Sequence, residues 1–405
     1  MTARDRVMQS LSFHETDMTP RDLGAMKSTG ISAFAYPRLV AELGLTSRRP
    51  RVHDTGQMLA LPDLDVLDAL GCDVVTIDGG VTNAFDEPEK WHEYDFGGRL
   101  PALVERPDGF AAEADGTLVQ WASTRMPPTS FVFNADHSGQ PLLDLDQPLP
   151  LLDLKEHRSR MERSRITDEQ VRQTVDLARR VRASTDRAVF FTDHCGAGIG
   201  IGGHSGIGIF PIICKLEPDY VRELHDIAID RALYNVRALL PEVRDSVDII
   251  MTTADDWGTQ NTLIASPATY RDLFLPYYRR LNDEIHRLAP HVKVFMHNCG
   301  AIYDILDMIA ESGFDVLNPV QWPAGGHSYA EWKDRTRGKV ALWGGGLDTQ
   351  HTLPHCSLEA VVSEVHEVVA CMKQGGGYVF NNVHNLLAET PADKVVAMYR
   401  AAGEA

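Results

Sequence analysis

The sequence predicts an α/β protein, a (β/α)8 TIM barrel with a β-rich lid inserted at about 84–150. Three observations carry this. From residue 165 onward short apolar runs alternate with amphipathic helical patterns, the signature of right-handed βαβ units around a parallel sheet. Six such strands, with one near Val74 and one near Met18, make eight; that count favours a closed barrel, and no Gly-rich dinucleotide fingerprint follows the first strand. Polar side chains also gather just past the apolar run of each late strand.

In chain order, "RDRVMQSLSF" has helical periodicity, and a Gly-bearing loop leads into a second helix near "YPRLVAELGL". "VLDALGCDVVTID" reads as a helix, a Gly stop and an apolar strand. "RPDGFAAEADGTLVQWA" carries Asp-Gly twice and alternates apolar with polar residues, a hairpin signal. The Pro-rich stretch after it, to about residue 150, is irregular. Helix–strand pairs then repeat to "GYVFNNVHN". With no repeat or low-complexity segment, 1–405 is expected to be a single barrel domain, the insertion covering its mouth.

The chain has 405 residues, long enough for such a barrel, and its 24% charged and 43% hydrophobic residues are ordinary for a globular protein. A formal charge of −18 argues against a nucleic-acid-binding surface. Met1–Leu11 holds no apolar leader run, and no stretch approaches the ~20 apolar residues of a membrane span. The six scattered cysteines fit reduced thiols. A cytoplasmic protein is expected.

The strand-end residues are Asp193, His194 and Cys195; Asp255 and Asp256; His297, Asn298 and Cys299; Asn318 and Gln321; Asp348; and Asn381, Asn382 and His384. In a barrel these ring one mouth. The strongest local signal is His297-Asn298-Cys299-Gly300. Residues i and i+2 of a strand point to one side, so imidazole and sulfur can reach one ion, a mixture that Zn²⁺ accepts. A third ligand must come from another strand end, and His384 is the best candidate; Asp193-His194-Cys195 offers the same atoms. Three protein ligands leave a position open, as catalytic sites do. Asp255 and Asp256 are candidates for acid–base work, for a metal ligand or for capping the "GTQN" loop. Asp193, His194, Asn318, Gln321 and Asn381 are candidate substrate contacts. Cys72, Cys214 and Cys371 read as core, and His355-Cys356 as surface.

"HNCG", "DDWGTQ", "NPVQW", "GGGLDTQ" and "YVFNNVHNLLAETPADKVVAMY" together resemble the uroporphyrinogen decarboxylase superfamily, in its corrinoid-linked zinc methyltransferase branch. The resemblance covers nearly the whole chain. It implies a (β/α)8 barrel whose zinc is held by a His-x-Cys pair, here His297 and Cys299, and by a later residue. That residue is a Cys in thiol-methylating members and falls on His384 here. A His leaves the ion less electron-rich, which favours Lewis-acid action on an ether or alcohol oxygen over a bound thiol. The decarboxylase itself needs no metal and grips a polyanionic tetrapyrrole through arginines; no matching basic cluster ends the strands here, Arg21 being the only early candidate.

The resemblance therefore implies a zinc-dependent methyltransferase that demethylates a small O-methyl or N-methyl substrate. The methyl passes to a corrinoid (cobalamin-type) cofactor carried by a partner protein, with Asp255 or Asp256 orienting the substrate or managing the proton. The alternatives are a lyase acting on a small carboxylic acid and a non-catalytic ligand-binding barrel. Neither a nucleic acid nor a membrane is an expected partner, and a homo-oligomer is left open.

Overall fold

The computed structural model describes residues 1–133, 148–201 and 205–405. Its core is a curled, mainly parallel sheet of TIM-like fold. Seven parallel strands follow in chain order: β1 (Val74–Asp78), β2 (Ala188–Phe191), β3 (Ile249–Thr253), β4 (Lys293–His297), β5 (Val316–Asn318), β6 (Ala341–Trp343) and β7 (Tyr378–Val379). The short strand Val81–Thr82 pairs antiparallel with β1. Between the outer edges lies Pro20–Asp22: Phe380 N–H donates to Pro20 O (2.8 Å), Asp22 N–H to Phe380 O (3.0 Å) and Asp73 N–H to Arg21 O (2.8 Å). The strand expected near Met18 is this short bridging segment.

Helices precede the strands as the alternation requires, among them Asp168–Ser184, Pro218–Val243, Leu275–Leu288 and Leu358–Met372. Capping boxes at Thr167/Gln170 and Ser328/Glu331 set two of the helix starts. The helices Leu154–Arg163 and Gly206–Leu216 were not expected from the sequence. The second is apolar all round and rich in Gly, so it shows no amphipathic stripe.

Strand parity sorts the side chains into an outer and an inner set. Val74, Ala188, Phe190, Ile249, Phe295, Val316, Ala341, Trp343 and Val379 form one inner cluster. Phe190, Phe295 and Trp343 meet edge to face, with centroids 4.8–5.9 Å apart. The N-terminal helix Ala3–Leu11 adds Val7 and Leu11 to that cluster. Two residues further along β2 to β5 the inner positions become Thr192, Met251, His297 and Asn318, and on β1 Asp78 stands four residues beyond Val74. The hollow of the curled sheet is thus dry below and polar above.

The inserted region is β-rich as expected. His92–Asp95 pairs with Pro101–Val104, and Phe110–Ala112, Leu118–Gln120 and Thr124–Met126 form an antiparallel sheet. Asp115-Gly116 makes the hairpin turn, with Gly116 at φ +86°. Phe96, Phe110 and Phe133 pack the region internally. Of the irregular stretch before residue 150, residues 134–147 lie outside those described. No helix among the described residues is long and apolar enough to cross a membrane.

Asp22 makes the strand-bridging segment pH-sensitive. Its carboxylate is wholly buried and accepts from Ala25 N–H (3.0 Å) and Trp343 Nε1–H (2.9 Å). Burial raises its pKa from 3.8 to about 6. A raised carboxylate stabilises the fold below its unfolded value and loses that contribution as pH climbs through the folded one. Between pH 4 and 6.5 the wild type should therefore lose up to about 3 kcal/mol from this group. Urea unfolding at the two pH values reads it; Asp22→Asn, which cannot titrate, should lack this part of the slope.

Candidate metal centre

Among the described residues, one trio offers ligand atoms that all lie within 4.8 Å of one another: His297, Cys299 and His384. His297 ends β4 on the inner side, one step above Phe295. Cys299 follows at i+2, its Sγ 3.1 Å from His297 Nε2. His384 lies on the loop after β7, with its ring centroid 5.9 Å from that of His297.

The imidazoles are oriented alike. His297 Nδ1 faces Asn318 Oδ1 at 2.9 Å, and His384 Nδ1 faces Asn385 Oδ1 at 2.7 Å. An amide oxygen can only accept, so each Nδ1 carries the proton and each Nε2 is left with its lone pair. Asn318 is locked in turn: its Oδ1 also accepts from Ser28 Oγ–H (2.5 Å), and its Nδ2 donates to Trp343 O (2.9 Å). Burial, reinforced by His297, lowers the His384 pKa and favours the neutral, ligating imidazole. Burial raises the Cys299 thiol well above its ordinary range, with the Asp256 carboxylate adding to it. Metal uptake must therefore displace a thiol proton.

Cys299 is placed by a seam between two mouth loops. Cys299 N–H donates to Asp256 Oδ1 (2.8 Å), and Trp257 N–H to Asn298 Oδ1 (2.8 Å). Gly258 N–H donates to Cys299 O (3.0 Å), and Ala301 N–H to Thr259 O (2.8 Å). Gln321 Oε1 accepts from Gly300 N–H (2.9 Å).

The centre opens on a cavity of about 220 Å³ whose lining includes Met26, Lys27, Asp78, Thr192, Met251 and Asp256 with the two histidines. A larger, mostly apolar cavity of about 720 Å³ shares His384 as a wall and is lined also by Gln321, Leu353, Val383 and Leu387. Lys27 pairs with Asp54 at 2.8 Å. Burial opposes its charge, yet Asp54 and Asp78 hold its pKa above the ordinary lysine value. Thr192 Oγ–H donates to Asp78 Oδ1 (2.6 Å).

The two candidate acids separate. A register irregularity between Met251 and Thr253 precedes them. Asp256 lines the inner cavity, 3.7 Å from His297 Nε2. Asp255 turns away and is 2% exposed. It accepts from Ile199 N–H (2.8 Å), Gly200 N–H (2.9 Å) and Tyr278 O–H (3.0 Å). Its carboxyl, raised by burial, is an anchor for the 199–201 loop. Asp255→Ala should strand those donors and cost about 2–4 kcal/mol in urea unfolding while leaving metal content intact.

Of the expected substrate contacts, Asn318, Asn381 and Asp193 bond the protein's own groups, and His194 lies apart from the inner cavity. Asn318 and Asn381 have no exposed surface. Asn381 Nδ2 donates to Asp22 O (2.8 Å) and so stitches the N-terminal segment to the end of β7. Asp193 follows the inward Thr192 and accepts from Gly79 and Gly80 N–H at 2.5 and 3.0 Å. With His194, held at φ +63°, it lines a separate cavity of about 600 Å³. Cys195 is 1% exposed, its thiol pushed up to about 12 by burial. Lys27, Asp78, Thr192 and Gln57, which also lines the inner cavity, were missed; the available signal was strand parity, which puts Thr192 two residues beyond the inner Phe190 and Asp78 four beyond the inner Val74.

The mouth of this TIM-like fold thus gathers two histidines and a cysteine beside a carboxylate and a lysine. Residues 213–405 match the family described as uroporphyrinogen decarboxylase (URO-D), a span holding β3–β7 and all three candidate ligands. This C-terminal part of the chain is thus similar to the uroporphyrinogen decarboxylase family. The uroporphyrinogen decarboxylase of Pseudoalteromonas atlantica is 27% identical over 166 residues, 38% of this chain and 44% of that protein. The one from Shewanella amazonensis is 25% identical over 190 residues, 44% of this chain and 51% of that protein. The chain thus spans about half the length of these curated relatives. A solved structure described as a methyltransferase from Methanosarcina mazei superposes with a TM-score of 0.57 and 14% identity, over 100% of this chain and 99% of that one. At that identity the likeness is one of fold.

Proposed function

We propose that this protein is a zinc-dependent methyltransferase that takes the methyl group of a small O-methyl or N-methyl compound and passes it to a corrinoid on a partner protein. One observation carries the reading: ligand atoms of His297, Cys299 and His384 lie within 4.8 Å of one another beside a small cavity, with both Nδ1 atoms already engaged by asparagine oxygens. That donor set suits Zn²⁺ and leaves a coordination position for a substrate heteroatom.

When bound, zinc supplies Lewis acidity at the leaving heteroatom, and a corrinoid supplies the nucleophile that accepts the methyl. The chain's own residues do the rest. Asp256 holds the Cys299 loop and puts a carboxylate beside the reacting centre, where a proton must be managed. Met26 and Met251 give the methyl an apolar wall. Lys27 and Asp78 offer a cation and an anion to the polar remainder of the substrate. The larger cavity across His384 is mostly apolar, as the face of a planar macrocycle requires. In this reading the inserted region is a lid, although none of its described residues lines the inner cavity.

The decarboxylase reading fits the site less well. A polycarboxylate macrocycle needs several cations. Among the described residues the inner cavity offers Lys27 alone, and the outer one is lined by Glu389 and no lysine or arginine.

The test is elemental analysis of purified protein, with about one zinc per chain expected. It is followed by incubation with Co(I) corrinoid and a panel of methoxy and methylamino compounds. Loss of the Co(I) absorbance with at least one donor supports the proposal; a metal-free protein that still transfers methyl refutes it.

A further inference from the structure

His297 and His384 reach the same site by different means. His297 sits on a strand, and its asparagine partner is buried and doubly held. His384 lies five residues beyond the end of β7, where no strand pairing holds its side chain. A ligand on a loop needs an outside anchor to be preorganised.

That anchor is a chain of hydrogen bonds. Asn385 Oδ1 faces His384 Nδ1 at 2.7 Å, and Asn385 Nδ2 donates to Gln57 Oε1 at 3.1 Å. Gln57 N–H donates to Asp54 Oδ1 at 2.8 Å, and the other Asp54 oxygen pairs with Lys27. The same turn carries the inserted β region. Phe133 N–H donates to Gly56 O at 2.9 Å, and the Gln120 side-chain amide bonds the Thr55 hydroxyl.

We propose that Gln57 and Asn385 are positioning residues for the third metal ligand, and that through them the turn seating the inserted region sets the orientation and tautomer of His384. A side-chain amide has a donor end and an acceptor end. Because Gln57 presents an oxygen, Asn385 must turn its amide nitrogen toward Gln57 and its oxygen toward His384. The oxygen then holds the proton on Nδ1, and Nε2 is left free for the ion. A residue distant in sequence thereby decides which nitrogen of His384 can ligate. The inference rests on the metal reading above.

The test is Zn²⁺ affinity, measured by competition with a chromophoric chelator, together with the visible spectrum of Co²⁺-loaded protein. Asn385→Leu should weaken Zn²⁺ binding by about 10- to 100-fold. Gln57→Leu should weaken it by about 2- to 10-fold, the worth of one hydrogen bond. Asn385→Asp, which still accepts from Nδ1–H, should bind within a factor of a few of wild type. The double leucine variant should be no weaker than Asn385→Leu alone, since the two act in series. Both leucine variants should alter the Co²⁺ bands while melting as the wild type does. If wild type binds zinc and Asn385→Leu binds it equally, the relay is wrong and the metal site stands. If Gln57→Leu is unchanged or the two losses add, the link to the turn is refuted. If wild type binds no Zn²⁺ at all, the metal reading falls and this one with it.

Discussion

Cys299→Ala is expected to purify without metal and without methyl-transfer activity. A zinc site worth about 10–16 kcal/mol, shared among four ligands, assigns each on the order of 3 kcal/mol, so losing one weakens binding by about 100- to 1000-fold. The alanine also leaves the seam of Asp256, Gly258 and Gln321 untouched, because those groups bond the main chain of 299–300 rather than the sulfur. The fold should survive the loss of the ion. His384→Ala should lose metal and transfer together in the same way. His384→Cys is the informative companion: a thiolate retains zinc, but the added negative charge makes the ion a poorer Lewis acid, so metal stays while demethylation slows. Metal content and the Co(I) absorbance assay, read side by side for the three variants, check all of this. Full metal and full transfer in His384→Ala would move the third ligand to Asp256.

Gly300→Ala should do comparable damage without removing any ligand. Gly300 sits at φ +90° with its Cα against Gly258; an added Cβ would lie 2.5 Å from Gly258 O and 2.7 Å from Gly258 Cα. From the other side, a Cβ on Gly258 would meet Cys299 O at 2.6 Å and Ala301 N at 2.5 Å. Both obstacles are main chain, so no side chain can swing aside. Overpacking and left-handed strain together put the cost at about 3–5 kcal/mol. The relief must come from parting the two loops, and that carries Cys299 away from His297. Urea unfolding and zinc content should fall together. Gly196→Ala, with nothing within 4 Å of the new carbon, is the matched control and should change neither.

Much of this site could be read from residue order. His297 and Cys299 follow from strand parity, because a period of two carries an inner Phe295 directly to an inner histidine and then to a cysteine. The barrel-like alternation is legible for the same reason: apolar strands and amphipathic helices repeat through "VKVFMHNCG", "FDVLNPVQ" and "KVALWGGG". What stayed hidden depends on contacts between distant segments. Asp255 and Asp256 are neighbours with identical chemistry, and only the irregularity after Met251 and the 199–201 loop decide which faces the cavity. Asn318 and Asn381 look like contacts for a ligand because they end strands, yet both are consumed in holding the protein's own groups. Lys27 and Gln57 come from loops with no period to betray their direction. The helix Gly206–Leu216 is masked by glycines and by being apolar on every side.

The segment Pro20–Asp22 has a consequence for how the molecule is made. The hydrogen bonds from Asp22 to Phe380, and from the Ser10 hydroxyl to Tyr378 O, join residues as much as 368 positions apart. No earlier part of the chain can supply them. A polypeptide synthesised only as far as β6 therefore holds an open sheet, with the free edges of β1 and of its newest strand exposed. The sheet edges can be joined only once residues 378–380 have been made. Amide exchange in the mature protein should retrace that history, the protons of Asp22, Asp73 and Phe380 yielding to solvent before those shared by β4 and β5.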